Sequence, residues 1–396
     1  MVVGAASAAK CFKGPKKIAT GDGIPQALFA FGKTALAPLP ALKPLLLPLL
    51  PPQPLPNSDG LVMDKKSRLK PLPQPLTQPH VRDLIEQAAV RIGPHILHTP
   101  LMHSGYLSAL NGGEVHLKLE SEQHTGSFKA RGALNKVLAT PEHEKANGLV
   151  TASSGNHAQG FARALGISGD RGLVFLPENA VPSKVEALGQ YPVELRFEGA
   201  DCLQSELIAR AYAEEHGMVW VSPYNDPLVI AGQGTIGKEI AEDLPGVDAV
   251  FATVGGGGMM SGVASWIKSA RPGATIIGCW PENSPEMCLS IRQGEIVAMG
   301  ETLDTLSDGS AGGLEPGAIT FELCRGLIDD FVLQSEDEIA AAIRWMMEKH
   351  HKIIEGAAAV ALGAFMKQAQ RLQGKKVVIV ICGGNISAEV LAGILR

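Results

Sequence analysis

Two runs of the chain, 249–254 and 376–381, constrain its fold more than any other feature. Both are apolar almost throughout. A strand with one wet face alternates apolar and polar side chains. A continuous apolar run is covered on both faces, as in a parallel sheet between layers of helices. The rest of the chain repeats this pattern, with short apolar runs between segments of helical period. Further strands are expected at 115–119, 148–153, 172–176, 193–197, 218–221 and 275–279. Helices are expected from 128 onward and at 81–92, 156–165, 182–188, 202–216, 228–244, 259–269, 336–350 and 356–372, with Asp201 and Ser335 as N-caps. Such alternation predicts an α/β fold of parallel sheets flanked by helices. Ligands of such sheets collect at the carboxyl ends of the strands. Four unusual loops fall there: 121–127, 153–157, 255–258 and 382–385.

A length of 396 residues suits two packed units in one catalytic body. The net charge of −5 gives no reason to expect nucleic acid or an anionic membrane as partner. The 6 cysteines form no Cys-x-x-Cys pair and have no histidine at zinc spacing, which fits separate reduced thiols. Residues 1–79 are of different material, with Lys10, Lys13, Lys16, Lys17 and Lys33 followed by a Leu/Pro stretch over 35–56. Pro44, Pro48, Pro51 and Pro52 forbid a membrane-spanning helix there, and the stretch fits no packed domain. Two readings stay open: an acid-poor organelle-targeting leader, or a start set too early, with Met63 as initiator. A cytoplasmic protein is expected, with organelle targeting by residues 1–62 as the alternative.

Lys129 is the chemical centre of the first loop. Thr125, Gly126 and Ser127 break the preceding strand and can cap a helix starting near Phe128. That sets Lys129 in a first helical turn, where the unpaired N–H groups disfavour a cation. Arg131 nearby is expected to add to the effect and free the amine for nucleophilic work. Gly255, Gly256, Gly257 and Gly258 stand between a strand and a helix, so their N–H groups can cradle a phosphate. Neither a Gly-x-Gly-x-x-Gly spacing nor a Walker lysine accompanies them. Ser153, Ser154, Gly155, Asn156 and His157 open a helix after a strand and suit a carboxylate or a phenolic oxygen. They equally suit an ordinary N-cap. Cys382 is either inert core thiol or a neutral S–H facing a ring nitrogen.

A poised lysine, a phosphate cradle and a carboxylate loop together fit pyridoxal phosphate. The stretches Gly126-Ser127-Phe128-Lys129-Ala130-Arg131-Gly132, Ser153-Ser154-Gly155-Asn156-His157, Ala231-Gly232-Gln233-Gly234-Thr235, Gly255 to Met259 and Cys382 to Asn385 resemble the threonine/serine dehydratase and serine racemase family. These are the fold-type-II pyridoxal-phosphate enzymes. The resemblance covers the chain from about His80 to Arg396. It implies a two-domain, tryptophan synthase β-like architecture, with a small domain at about 148–224 and a large one from 80–147 plus 225–396. It also implies that Lys129 carries the cofactor as a Schiff base and moves the Cα proton. Phe128, Asn156, Gly255, Gly256, Gly257, Gly258, Met259, Glu355 and Cys382 would contact the cofactor. Ser153, Ser154, Gly155, Asn156 and His157 would contact the substrate, with Ser154 as a second acid/base.

The implied activity is a lyase converting L-threonine or L-serine to a 2-oxo acid and ammonia. The alternatives are serine racemisation, 3-hydroxyaspartate dehydration, or cofactor binding without catalysis. A homodimer or higher homo-oligomer is expected. Relatives carry a metal-site carboxylate where this chain has Trp280, so no metal is expected. With the chain ending at Arg396, no C-terminal regulatory domain is expected either.

Overall fold

The computed structural model describes residues 76–180, 182–200, 202–297 and 303–396. The expectations for residues 1–75 and the capping by Asp201 lie outside the described residues. Ten strands are present among the described residues: β1 (Leu101–His103), β2 (Glu114–Leu119), β3 (Leu149–Ala152), β4 (Gly172–Leu176), β5 (Glu194–Phe197), β6 (Val219–Trp220), β7 (Ala249–Thr253), β8 (Thr275–Pro281), β9 (Asp330–Gln334) and β10 (Lys376–Ile381). They form a six-stranded sheet in the order β1-β2-β10-β7-β8-β9 and a four-stranded sheet in the order β5-β4-β3-β6. Pairing is parallel in both sheets, apart from the antiparallel edge strand β1. The α/β expectation therefore holds.

The two apolar runs occupy the covered centre of the larger sheet. β10 lies between β2 and β7, and Val377 to Ile381 are wholly buried. At about 1.5–3 kcal/mol for each large apolar side chain, this one strand contributes several kcal/mol of burial. The smaller sheet is sandwiched too. Leu149 and Val174 face one apolar cluster, while Val150, Leu173 and Phe175 face another. That alternation is the period of two along a strand.

Helix packing explains the glycines scattered through the expected helix at 228–244, which the structure gives as Pro227–Asp243 capped by Asp226. A Cβ on Gly262 would stand 2.7 Å from the Cα of Gly234, and one on Gly232 would stand 2.6 Å from the Cα of Gly132. A Cβ on Gly160 would stand 2.9 Å from the carbonyl carbon of Lys129. The glycines are contact points at which neighbouring helices touch backbone to backbone. They seat the helix Lys129–Ala139 against both Pro227–Asp243 and Asn156–Ser168.

Sequence period left some elements out. β1 and β9 are not marked by it, nor are the helices Glu286–Gln293, Ile319–Leu327 and Ala388–Leu395. Among the described residues no helix is long and apolar enough to cross a membrane.

Candidate active site

Lys129 is the first residue of its helix, as its surroundings in the sequence suggest, but the cap differs from expectation. Phe128 is the N-cap residue and makes no side-chain cap bond. The Ser127 hydroxyl is buried without a partner. What holds this turn is a zip of main-chain bonds to the loop after β10. Phe128 N–H donates to the Cys382 carbonyl at 3.0 Å, Gly384 N–H donates to the Gly126 carbonyl at 2.9 Å, and Ser127 bridges Gly383. Gly126 turns with φ +69°, and a Cβ there would stand 2.5 Å from Asn385 Oδ1.

The Lys129 ammonium donates to the Pro223 carbonyl at 2.8 Å and lies 5.2 Å from the Phe128 ring centroid. Burial pushes its pKa down to about 8, against a raising pull from Cys382 and Glu355. Arg131 has no part in this. Its guanidinium is turned into the core, where it donates to both oxygens of Glu120 (2.7 and 2.8 Å) and of Glu239 (2.6 and 2.9 Å). Residues two apart on a helix do not face each other.

The residue after Pro223 joins Lys129 to the glycine loop. The Tyr224 ring lies over Gly256, so close that a Cβ there would stand 2.4 Å from it. Gly257, at φ +85°, caps the helix Gly258–Ala270. The loop carbonyls are engaged from behind: Thr320 Oγ1 donates to Gly256 O at 2.7 Å, and the Cys324 thiol reaches Gly257 O at 3.7 Å. The first-turn N–H groups, those of Gly258 and the buried Met259 included, have no acceptor within the helix. N–H groups left free at a helix N-terminus in this way can hold an anion.

Asn156 opens the helix Asn156–Ser168, and its amide donates to both oxygens of Glu355 at 3.0 and 3.1 Å. Glu355 is buried and its pKa is raised to about 7. Burial is the main cause and Asp308 adds to it, while Asn156, Asn385 and Lys184 pull the other way. Cys382 is buried as well, and its thiol is raised well above its usual value, so it stays neutral. Ser153 Oγ accepts the Gly155 N–H at 3.2 Å, and Ser154 is half-buried beside it.

His157 departs from expectation. Its ring is buried, Nε2 meets the Val221 carbonyl at 3.1 Å, and burial with the Lys129 charge lowers its pKa to about 3. The neutral ring is thus held in the interior by that contact. Trp280 is buried and stacked on Phe331, with centroids 5.6 Å apart. Among the described residues no three His, Cys, Asp or Glu side chains group as metal ligands. Pro223, Tyr224 and Asn385 also belong to the site. Asn385 lies in a loop singled out by its place after β10, but nothing in the sequence signals the Pro223 carbonyl or the Tyr224 ring.

Residues 92–383 match the family of pyridoxal-phosphate dependent enzymes. The chain belongs to that family. It is 43% identical over 309 residues to an L-threonine ammonia-lyase of Thermotoga maritima, covering 78% of this chain and 76% of the relative. It is 41% identical over 308 residues to the catabolic L-threonine dehydratase TdcB of Escherichia coli, covering 77% and 93%. Among solved structures, the processed threonine deaminase isoform 2 of Solanum lycopersicum superposes with a TM-score of 0.77 at 31% identity, over 81% of this chain and 94% of that one. Maize serine racemase does so with 0.74 at 31%, over 79% and 96%. The resemblance to the threonine/serine dehydratase and serine racemase family is thus upheld. This pyridoxal-phosphate dependent enzyme has the fold-type-II arrangement expected of it.

Proposed function

We propose that this pyridoxal-phosphate dependent enzyme is an ammonia-lyase for β-hydroxy amino acids, L-threonine first and L-serine second, and that Lys129 is its catalytic residue. The observation that carries the reading is the Lys129 amine, half-buried and held near pKa 8 where three loops converge. The residues present fit the cofactor. The glycine loop is a phosphate cradle whose carbonyls are already engaged, and the neutral Cys382 thiol suits an unprotonated ring nitrogen. The T. maritima and E. coli relatives carry the names of threonine lyases.

Pyridoxal phosphate, when bound, draws electrons from the substrate Cα and acidifies its hydrogen. With a pKa near 8, the Lys129 amine can take that proton near neutral pH. The N–H groups of Gly255 to Met259 would hold the phosphate, and Phe128 and Glu355 would contact the ring. The 153–156 loop, with the backbone of His157, holds the substrate carboxylate by its N–H and hydroxyl donors. Cys382, whose thiol stays neutral, would leave a ring nitrogen facing it unprotonated, which suits loss of a β-hydroxyl better than transamination. In this reading the four-stranded sheet would belong to a small domain at about 148–224 and the six-stranded sheet to a large one from 80–147 plus 225–396, with the cofactor held between them. A homodimer or higher homo-oligomer completes the reading.

The test is reconstitution with pyridoxal phosphate followed by an assay of 2-oxo acid release from a panel of hydroxy amino acids. The wild type is expected to turn yellow and to release 2-oxobutanoate from L-threonine. Lys129→Ala is expected to change the absorption band and to lose at least ~10²–10⁴-fold in rate, the range of a positioned proton-transfer group. A wild type that cannot be reconstituted, or a Lys129→Ala variant of near wild-type rate, overturns the reading.

A further inference from the structure

Three residues outside the cofactor cradle leave the Asn156 amide only one way to point. The chain begins at the Thr125 main-chain carbonyl, which can only accept a hydrogen bond. The Asn385 side-chain atom 2.8 Å from it is therefore the amide nitrogen, and the same nitrogen gives its second hydrogen to Asn156 Oδ1 at 2.7 Å. The other end of the chain is Glu355. The Asn385 backbone N–H can only donate, and it meets Glu355 Oε2 at 3.1 Å. The Glu355 carboxylate in turn accepts from Asn156 Nδ2. The Asn156 carbonyl and one of its amide hydrogens are thus spoken for, and one N–H is left.

We propose that Asn385 is a positioning residue that, with Glu355, makes Asn156 present an N–H and not its carbonyl to the phenolic oxygen of pyridoxal phosphate. This rests on the cofactor reading above. A donor at that position favours the oxygen as an anion. Asn385 would act on the cofactor through Asn156, to whose Oδ1 it donates.

The test compares wild type, Asn385→Ala and Asn385→Leu, each reconstituted with pyridoxal phosphate. It reads the cofactor dissociation constant and the pH at which the bound cofactor's absorption band changes. Leucine fills nearly the same space without donor or charge. Both variants are expected to bind about tenfold more weakly, the scale of one such hydrogen bond. Both should also protonate the phenolic oxygen at a higher pH, because the donor is no longer held on it. Since Asn385 is exposed, both apo variants are expected to keep the wild-type unfolding temperature; if one loses it, the other decides. Wild-type affinity and titration in folded variants overturn the proposal, as does full rescue by Asn385→Leu, which makes Asn385 a matter of shape. A wild type that binds no pyridoxal phosphate overturns the parent reading instead.

Discussion

At the scale of single residues, Lys129 acts through its burial. Its place in a first helical turn was legible from the sequence. The main cause of its lowered pKa was not, because desolvation comes from residues far away in the chain. Arg131 is near in sequence and elsewhere in space. The half-buried lysine links stability to pH in a checkable way. Unfolded, it keeps its proton up to a pKa of about 10.4, and folded only up to about 8. Between those values the unfolded chain binds more protons, so the apoenzyme should gain stability as pH rises through the window, by about 3 kcal/mol. Lys129→Met should flatten that part of the profile in urea titrations. An identical slope in the variant assigns the linkage to other groups. Ser154 offers a second test. In the proposed reading Lys129 would serve one face of the reacting carbon, and racemisation needs a proton donor on the other. Serine left after partial turnover is expected to contain a minor D-fraction, and Ser154→Ala should reduce it more than it reduces elimination. Chiral analysis with no D-serine beside accumulating pyruvate rules Ser154 out as that donor.

At the scale of elements, strands and long helices could be read closely, because a covered strand and an amphipathic helix write their period into the chain. The 376–381 strand and the Ser335-capped helix Glu336–His350 lie at their expected bounds. The glycines of the helix Pro227–Asp243 looked like flaws in the sequence, since their reason, the backbone of a neighbouring helix, is a tertiary fact. The Lys129 helix is tied down by the Arg131 pairs with Glu120 and Glu239, and Lys118 closes on Glu239 at 2.6 Å. Arg131→Met should leave two buried carboxylates short of a partner and cost about 3–5 kcal/mol, the usual penalty for breaking such a pair. Urea unfolding measures it. A loss under 1 kcal/mol means that Lys118 beside Glu239, and the Thr99 hydroxyl that donates to Glu120 at 2.6 Å, suffice for those carboxylates.

At the scale of the whole molecule, the site is shared between the two sheets, and one long-range pair shows the sharing. Lys184, from the helix Pro182–Leu188 beside the smaller sheet, meets Asp308, from the loop over the larger one, at 2.9 Å. The pair is exposed and adds little to stability. Both members nevertheless reach Glu355, in opposite senses: Asp308 raises its pKa and Lys184 lowers it. No local pattern in the sequence could reveal this, because 124 residues separate the two partners. The consequence separates electrostatics from simple loss of a contact. Lys184→Met removes a cation and should move the Glu355 titration above its value of about 7, whereas Asp308→Asn removes an anion and should move it below. Both substitutions break the same ion pair. The readout is the pH profile of kcat/KM near neutrality, together with the absorption of the reconstituted enzyme. Raised salt should shrink both shifts, since exposed charges are screened. Opposite displacements place Glu355 under the joint field of the two sheets. Displacements in the same direction mean that the ion pair acts only by holding the loop in place.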